Sequence, residues 1–97
     1  MLKLIYYVPE AQLESTKRAI FDAGAGGIGN YEDCAWQVLG TGQFKPLQGA
    51  NPSIGELDQL EEVPEWRVES IVPEAKASAV AKALKASHPY EEPAFEF

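Results

Sequence analysis

The sequence predicts a two-layer α+β fold, in which an antiparallel sheet of four strands carries two helices on one face. The main observation is an internal repeat. Val8-Pro9-Glu10-Ala11 recurs 64 residues later as Val72-Pro73-Glu74-Ala75, and the segment Tyr31–Trp36 recurs 59 residues later as Tyr90–Phe95. The first copy therefore holds five additional residues, which the glycine-rich segment 24–29 can accommodate. Two copies of one strand-helix-strand unit predict the order βαββαβ.

The first copy reads as strand, helix and strand in turn. Alternating positions predict the first strand, and a helical stripe predicts a helix near residues 10–23. The positions are Leu2, Leu4, Tyr6 and Val8 for the strand, and Leu13, Thr16, Ile20 and Ala23 for the helix. Gly24 should end this helix, as a glycine after the last turn often does. The second strand is expected from Asn30 to about Gly40, and residues 43–45 would prolong it.

The second copy follows a loop. Residues 46–56 contain two prolines and two glycines, too many helix breakers for a regular element. Alternation then predicts a third strand over Trp66–Val72. A helix is predicted near 74–87, and Pro89 should end it at His88. A short fourth strand is expected from Ala94 to Phe97. The residues 1–97 are thus expected to form a single ferredoxin-like domain, with an antiparallel sheet and both helices on one face.

Composition excludes several classes of partner. The net charge of −7 opposes binding to nucleic acid or to an anionic membrane surface, because phosphate groups would be repelled. No apolar run is long enough to span a bilayer. The one cysteine, Cys34, cannot form an internal disulfide, which favours a cytoplasmic location.

The sheet face away from the helices should carry apolar side chains. Ile5, Tyr7 and Ile71 would share this helix-free face with charged residues. A small domain can expose some apolar surface without consequence, but neighbouring apolar positions on central strands favour coverage by another subunit. We therefore expect a homo-oligomer.

The clearest polar cluster is His88-Pro89-Tyr90-Glu91-Glu92-Pro93, and Glu32 and Asp33 form its partial echo. Imidazole and carboxylate groups are ligands for divalent metal ions, so His88, Glu91, Glu92, Glu32 and Asp33 are the candidate metal ligands. In the alternative interpretation, the prolines fix a tight corner and the glutamates face water. The second and fourth strands would lie on opposite sheet edges, about 14 Å apart. One ion could therefore meet both groups only across a subunit boundary.

Several separated motifs carry a family resemblance. They are Gly26-Gly27-Ile28-Gly29-Asn30-Tyr31, Gly40-Thr41-Gly42-Gln43-Phe44-Lys45-Pro46-Leu47, Gly49-Ala50-Asn51-Pro52, Ile54-Gly55, Leu60-Glu61-Glu62-Val63 and the His88–Ala94 segment. Together they resemble the insertion domain of the Nif-three-like proteins, which are also called GTP cyclohydrolase I type 2 homologues. The resemblance covers nearly the whole chain and implies a PII/CutA-like fold.

The resemblance also implies a function class. PII and CutA proteins form trimers, so a trimer is favoured over a dimer. The parent family holds its dinuclear metal site outside this domain, and none of those ligands or catalytic residues maps onto this sequence. The resemblance therefore implies an inserted module existing alone: a non-enzymatic, PII/CutA-like binding or regulatory module that takes a divalent metal ion or a small ligand at subunit boundaries. The alternatives are metal-dependent hydrolase-like activity at such a boundary, or a structural module that docks a protein through the 46–56 loop.

Overall fold

The structure is a computed structural model that describes residues 1–97. Its elements are β1 (Leu2–Val8), α1 (Leu13–Asp22), β2 (Ala35–Phe44), β3 (Glu61–Val72), α2 (Ala77–Ser87) and β4 (Phe95–Glu96), and a short 3₁₀ turn precedes each helix. The strands form one sheet in the order β2-β3-β1-β4, and every neighbouring pair is antiparallel. The predicted α+β, βαββαβ fold is thereby confirmed.

The register of the sheet separates two faces. Tyr6 lies opposite Val68, and both are fully buried on the side that the helices cover. Tyr7 lies opposite Arg67 on the helix-free side, where both are only half-buried. The core lies between the sheet and the helices and consists of Leu4, Tyr6, Val8, Leu13, Ile20, Ala25, Val68, Val72, Val80 and Leu84.

Helix α1 joins the core through one polar contact as well as apolar packing. The buried hydroxyls of Tyr6 and Thr16 are 3.0 Å apart, and Thr16 also donates to the carbonyl of Gln12 at 2.8 Å. Both hydroxyls are thus paired, which removes the cost of burying them. The helix ends at Asp22 with Ala23 as its C-cap, and the next residue, Gly24, has a φ of +123°, a conformation that favours glycine. The predicted helix end is therefore confirmed.

The starts of two strands differ by five residues from the sequence prediction. The second strand begins at Ala35 and not at Asn30, because Ile28 and Tyr31 pair in a local turn and Asp33 adopts a φ of +58°. The third strand begins at Glu61, five residues before Trp66, because its pairing with β2 continues as far as Phe44. Residues 45–60 form the intervening loop, which contains neither helix nor strand and whose base is closed by a hydrogen bond from the Asp58 amide to the carbonyl of Pro46.

Neither helix has the length and the apolar character that crossing a membrane would require.

Candidate functional site

The five candidate metal ligands lie in two separate places. Glu32 and Asp33 precede β2 at one sheet edge, whereas His88, Glu91 and Glu92 lie between α2 and β4 at the opposite edge. No group of three His, Cys, Asp or Glu side chains comes together to form a metal site within the chain. A shared ion would therefore need a second copy, and the metal site stays a prediction.

Asp33 is engaged with a neighbouring side chain. Its carboxylate accepts a hydrogen bond from Arg18 at 3.0 Å, and Arg18 also lies 3.5 Å from Asp22. The hydrogen bond with Asp33 is the main reason that the pKa of Arg18 is raised. The pair holds the turn before β2 against helix α1, so Asp33 already has a structural partner.

His88 uses both of its ring nitrogens inside the chain. Nε2 lies 2.6 Å from the backbone carbonyl of Tyr7, and Nδ1 accepts a hydrogen bond from the backbone amide of Tyr90 at 3.1 Å. A carbonyl can only accept, so Nε2 carries the proton and the ring is neutral. Burial lowers the pKa of His88, while the bond to the Tyr7 carbonyl and the charge of Glu65 oppose the shift. A metal ion could bind this ring only after one of the two hydrogen bonds broke.

The imidazole of His88 thereby positions the aromatic ring of Tyr90. The rings of His88 and Tyr90 lie 4.9 Å apart between centroids, and the ring of Phe44 lies 6.1 Å from that of Tyr90. The Tyr90 hydroxyl donates to Oε2 of Glu65 at 3.1 Å. Burial, followed by the nearby charge of Glu65, raises the pKa of Tyr90 to about 12. Tyr90 therefore stays a hydrogen-bond donor to Glu65 throughout the physiological pH range.

Phe44, Glu65 and Tyr90 line a cleft of about 280 Å³ between the 45–60 loop, the strands and the corner before β4. Most of its wall is aromatic, proline or aliphatic, and the charged groups are few. The walls include Tyr7, Phe44, Pro46, Ala50, Pro52, Ile54, Tyr90 and Ala94, and the charged residues are Lys45, Glu65, Glu91 and Glu92. The loop is tied to the corner by a hydrogen bond from the Asn51 amide to Glu91 at 3.1 Å. A concave, mainly apolar cleft with a few polar groups is typical of a small-molecule site.

The carboxylate that faces this cleft belongs to Glu65, which is not among the residues predicted from the sequence. Glu65 lies opposite Gly40 on the helix-free face, and its carboxylate passes over Gly42. A Cβ at Gly42 would overlap this carboxylate, so the missing side chain makes room for it. The only sequence signal was the pair Gly40 and Gly42, two glycines on the same face of one strand.

A second depression of about 430 Å³ adjoins the cleft on the helix-free face, and Tyr7, Glu65 and Ala94 line both. Arg67 lies in this depression and donates to Glu69 at 3.2 Å and to the Tyr7 hydroxyl at 3.2 Å. Glu69 also pairs with Lys3 at 3.3 Å. The positive charge of Arg67 is thus balanced by Glu69 and not by Glu65.

The helix-free face is more apolar than predicted from the sequence. The register places Trp36 opposite Glu69 and Val38 opposite Arg67, beside the expected Ile5 and Ile71. Trp36 is 58% exposed and Val38 is 43% exposed. Tyr7 lies between this apolar surface and the cleft, so the surface and the cleft share one face of the sheet.

Comparison with known proteins identifies curated relatives of this chain. The chain is 48% identical over 94 residues to a GTP cyclohydrolase 1 type 2 homolog of Mycobacterium leprae, and 47% identical over 95 residues to that of Listeria monocytogenes. Each alignment covers 97% of this chain and, respectively, 24% and 26% of the relative. The chain therefore spans about a quarter of the length of these curated relatives. No family model matches the sequence.

Solved structures agree with the sequence matches. A Bacillus cereus protein related to NIF3 superimposes with a TM-score of 0.84 at 41% identity, over 97% of this chain and 24% of that one. GlnK of B. subtilis superimposes with a TM-score of 0.54 at 15% identity, over 97% of this chain and 79% of GlnK, which shows a shared PII fold alone. The homologues of this chain are thus GTP cyclohydrolase 1 type 2 homologues and a NIF3-related protein, to about a quarter of whose length it corresponds, and its fold is PII-like.

Proposed function

We propose that this domain is a non-enzymatic binding or regulatory module that takes a small ligand in the cleft beneath the 45–60 loop. The observation that carries the proposal is the construction of the cleft from three separate parts of the chain: the strands, the loop and the corner held by His88. A ligand that contacted all three would stabilise their arrangement. Because the loop is exposed, its position could then report to another molecule whether the cleft is occupied.

The name of the relatives refers to GTP cyclohydrolase, but it describes proteins of which this chain matches only about a quarter. Cyclohydrolase chemistry is therefore not part of the proposal. The unpaired Cys34 supports a reducing compartment, and we place the module in the cytoplasm.

The proposal includes self-association through the helix-free face. Burying an exposed Trp36 together with Ile5 and Ile71 would contribute about 1.5–3 kcal/mol per side chain before the costs of association. The PII-like fold favours a trimer, and a dimer with two sheet faces packed together is the alternative. In sedimentation velocity at micromolar concentration, the wild type should be an oligomer and Trp36→Glu a monomer. Ala79→Glu, on the exposed surface of α2, is the matched control. A monomeric wild type would contradict this part.

A divalent cation at the boundary between copies is the alternative ligand. The carboxylates of Glu32 and Glu92 make no hydrogen bond within the chain and are exposed, so they could meet across an interface. Metal-dependent hydrolysis or docking of a protein through the 46–56 loop would be further uses of the same surfaces. Stoichiometric metal that is lost on Glu92→Gln, or hydrolysis of a phosphoester by metal-loaded protein, would favour this alternative.

The experiment that tests the binding proposal is an amide NMR screen of the isotope-labelled protein. Mixtures of small cationic, anionic and neutral metabolites are added, and the backbone amide shifts are recorded. We expect at least one compound to cause saturable shifts at Phe44, Glu65 and Tyr90, with Ala79 on the far side of the molecule unaffected. A screen in which no compound perturbs the cleft would overturn the proposal.

A further inference from the structure

The cleft has one carboxylate whose surroundings favour a ligand of a particular charge. Glu65 accepts a hydrogen bond from Tyr90 through Oε2, whereas Oε1 has no hydrogen-bond donor in the chain. Gly42 leaves the space that this carboxylate occupies, and Gly40 leaves open space beside it. Glu65 is therefore held in place by one donor and retains an oxygen that a ligand could reach.

Aromatic rings flank this carboxylate. Phe44 and Tyr90 lie 6.1 Å apart between centroids with their planes inclined at 51°, and both line the cleft with Glu65. The face of an aromatic ring attracts a cation that lies within about 6 Å of its centroid. Tyr7 already provides such a contact, because the guanidinium of Arg67 lies 5.9 Å from its ring centroid. The other two aromatic rings of the cleft, those of Phe44 and Tyr90, have no such contact with a cationic side chain of the protein.

The charges around the cleft also favour a cationic ligand. Its lining includes the carboxylates of Glu65, Glu91 and Glu92 but only one ammonium group, that of Lys45. Lys45 is exposed and makes no ion pair, and Arg67 is paired with Glu69. The chain as a whole carries a net charge of −7. A phosphate-bearing ligand would enter against this field, whereas a cation would be attracted by it.

We propose that the cleft selects an organic cation, with an alkylammonium or guanidinium group placed against the rings of Phe44 and Tyr90 and neutralised by Glu65. This inference rests on the proposed function and adds the chemical class of its ligand. A cleft of about 280 Å³ lies near the lower end of the usual size of small-molecule sites, about 300–1,000 Å³. The ligand is therefore a small one, a cationic head with a short chain that reaches the prolines of the loop.

The test uses four small probes that each carry a short alkyl chain: n-butylammonium, n-butylguanidinium, n-butanol and butyrate. Each is titrated into the isotope-labelled wild-type protein, and the amide shifts of Phe44, Glu65 and Tyr90 are followed. We expect saturable shifts with the two cations, and at least tenfold weaker binding of butanol and butyrate. Glu65→Gln should weaken the binding of both cations at least tenfold. Glu62→Gln removes the same charge from the same strand outside the cleft and should leave binding unchanged.

The outcomes separate the two proposals. Binding of butyrate or butanol in the cleft as tightly as the cations, or undiminished cation binding by Glu65→Gln, would overturn the ligand class while leaving the binding module in place. The same holds if neither cation binds but the metabolite screen finds another cleft ligand. If neither the cations nor any compound in the screen perturbs the cleft, both proposals fail. Should Glu65→Gln not fold, Phe44→Leu provides a second variant, and it should weaken cation binding by removing one ring.

Discussion

Replacing His88 by alanine should destabilise the folded protein strongly, although the residue lies next to an exposed acidic segment. The variant loses the hydrogen bonds to the Tyr7 carbonyl at 2.6 Å and from the Tyr90 amide at 3.1 Å. Two hydrogen bonds contribute about 1–3 kcal/mol, and the lost packing of a ring that is only 7% exposed adds about 1 kcal/mol. The free energy of unfolding should therefore fall by about 2–4 kcal/mol. For a domain of this size, that corresponds to a decrease in Tm of at least about 8 °C.

The assay is thermal unfolding followed by circular dichroism, in one buffer that contains a chelator and in another that contains added Zn²⁺. Glu92→Ala is the control, because its side chain is exposed and makes no hydrogen bond. We expect the control to melt like the wild type in both buffers, and His88→Ala to melt lower in both. If His88→Ala melted like the wild type without metal, and lost only a stabilisation caused by added Zn²⁺, the structural role of His88 would be refuted.

Three further predictions concern pH and the core. Burial lowers the pKa of His88 below its ordinary value of 6.5, so on acidification the unfolded chain takes up the proton first. The stability that depends on neutral His88 should therefore be complete above about pH 6.5 and decline as the pH falls. Urea unfolding at a series of pH values should show this decline in the free energy of unfolding, and His88→Ala should show a smaller decline. Ile20→Ala should cost about 2–5 kcal/mol in urea unfolding, because it leaves a cavity at a fully buried position. Tyr6→Phe should lower the free energy of unfolding by only about 0.5–1.5 kcal/mol, since Thr16 keeps its bond to the Gln12 carbonyl. An unchanged urea midpoint for Ile20→Ala would contradict the packing described. So would a larger loss of stability for Tyr6→Phe than for Ile20→Ala.

The order of elements could be predicted from the sequence because its hydrophobic periodicity is strong. Strand alternation over β1 and the helical stripe through Leu13, Thr16 and Ile20 both correspond to buried positions in the structure. The start of β3 could not be predicted in the same way, since Pro64 argues against a central strand. The residues of β3 that precede Trp66 pair with β2 but not with β1. At Pro64, β3 is therefore an edge strand and tolerates the missing amide. Pairing across the sheet, which local sequence does not show, decides this boundary.

The candidate site was only partly predictable for a related reason. The sequence indicated that His88 and its neighbours matter, but the hydrogen bond from His88 to Tyr7 joins residues 81 positions apart. Glu65 was missed because β3 was expected to begin at Trp66, which left this residue outside the sheet. Only the register opposite Gly40 places its carboxylate beside the cleft. Trp36 was likewise assigned to a strand, but its exposed position on the helix-free face depends on the same register.

Contacts between a bound ligand and the protein would show directly whether the cleft beneath the 45–60 loop is a ligand site. Isotope-filtered nuclear Overhauser spectra of the labelled protein with n-butylammonium would record which protein protons lie near the ligand methylene groups. We expect cross-peaks to the ring protons of Phe44 and Tyr90 and to Ile54, which all line the cleft. Cross-peaks confined to Trp36 on the open sheet face, or to Phe97 beyond β4, would contradict this expectation.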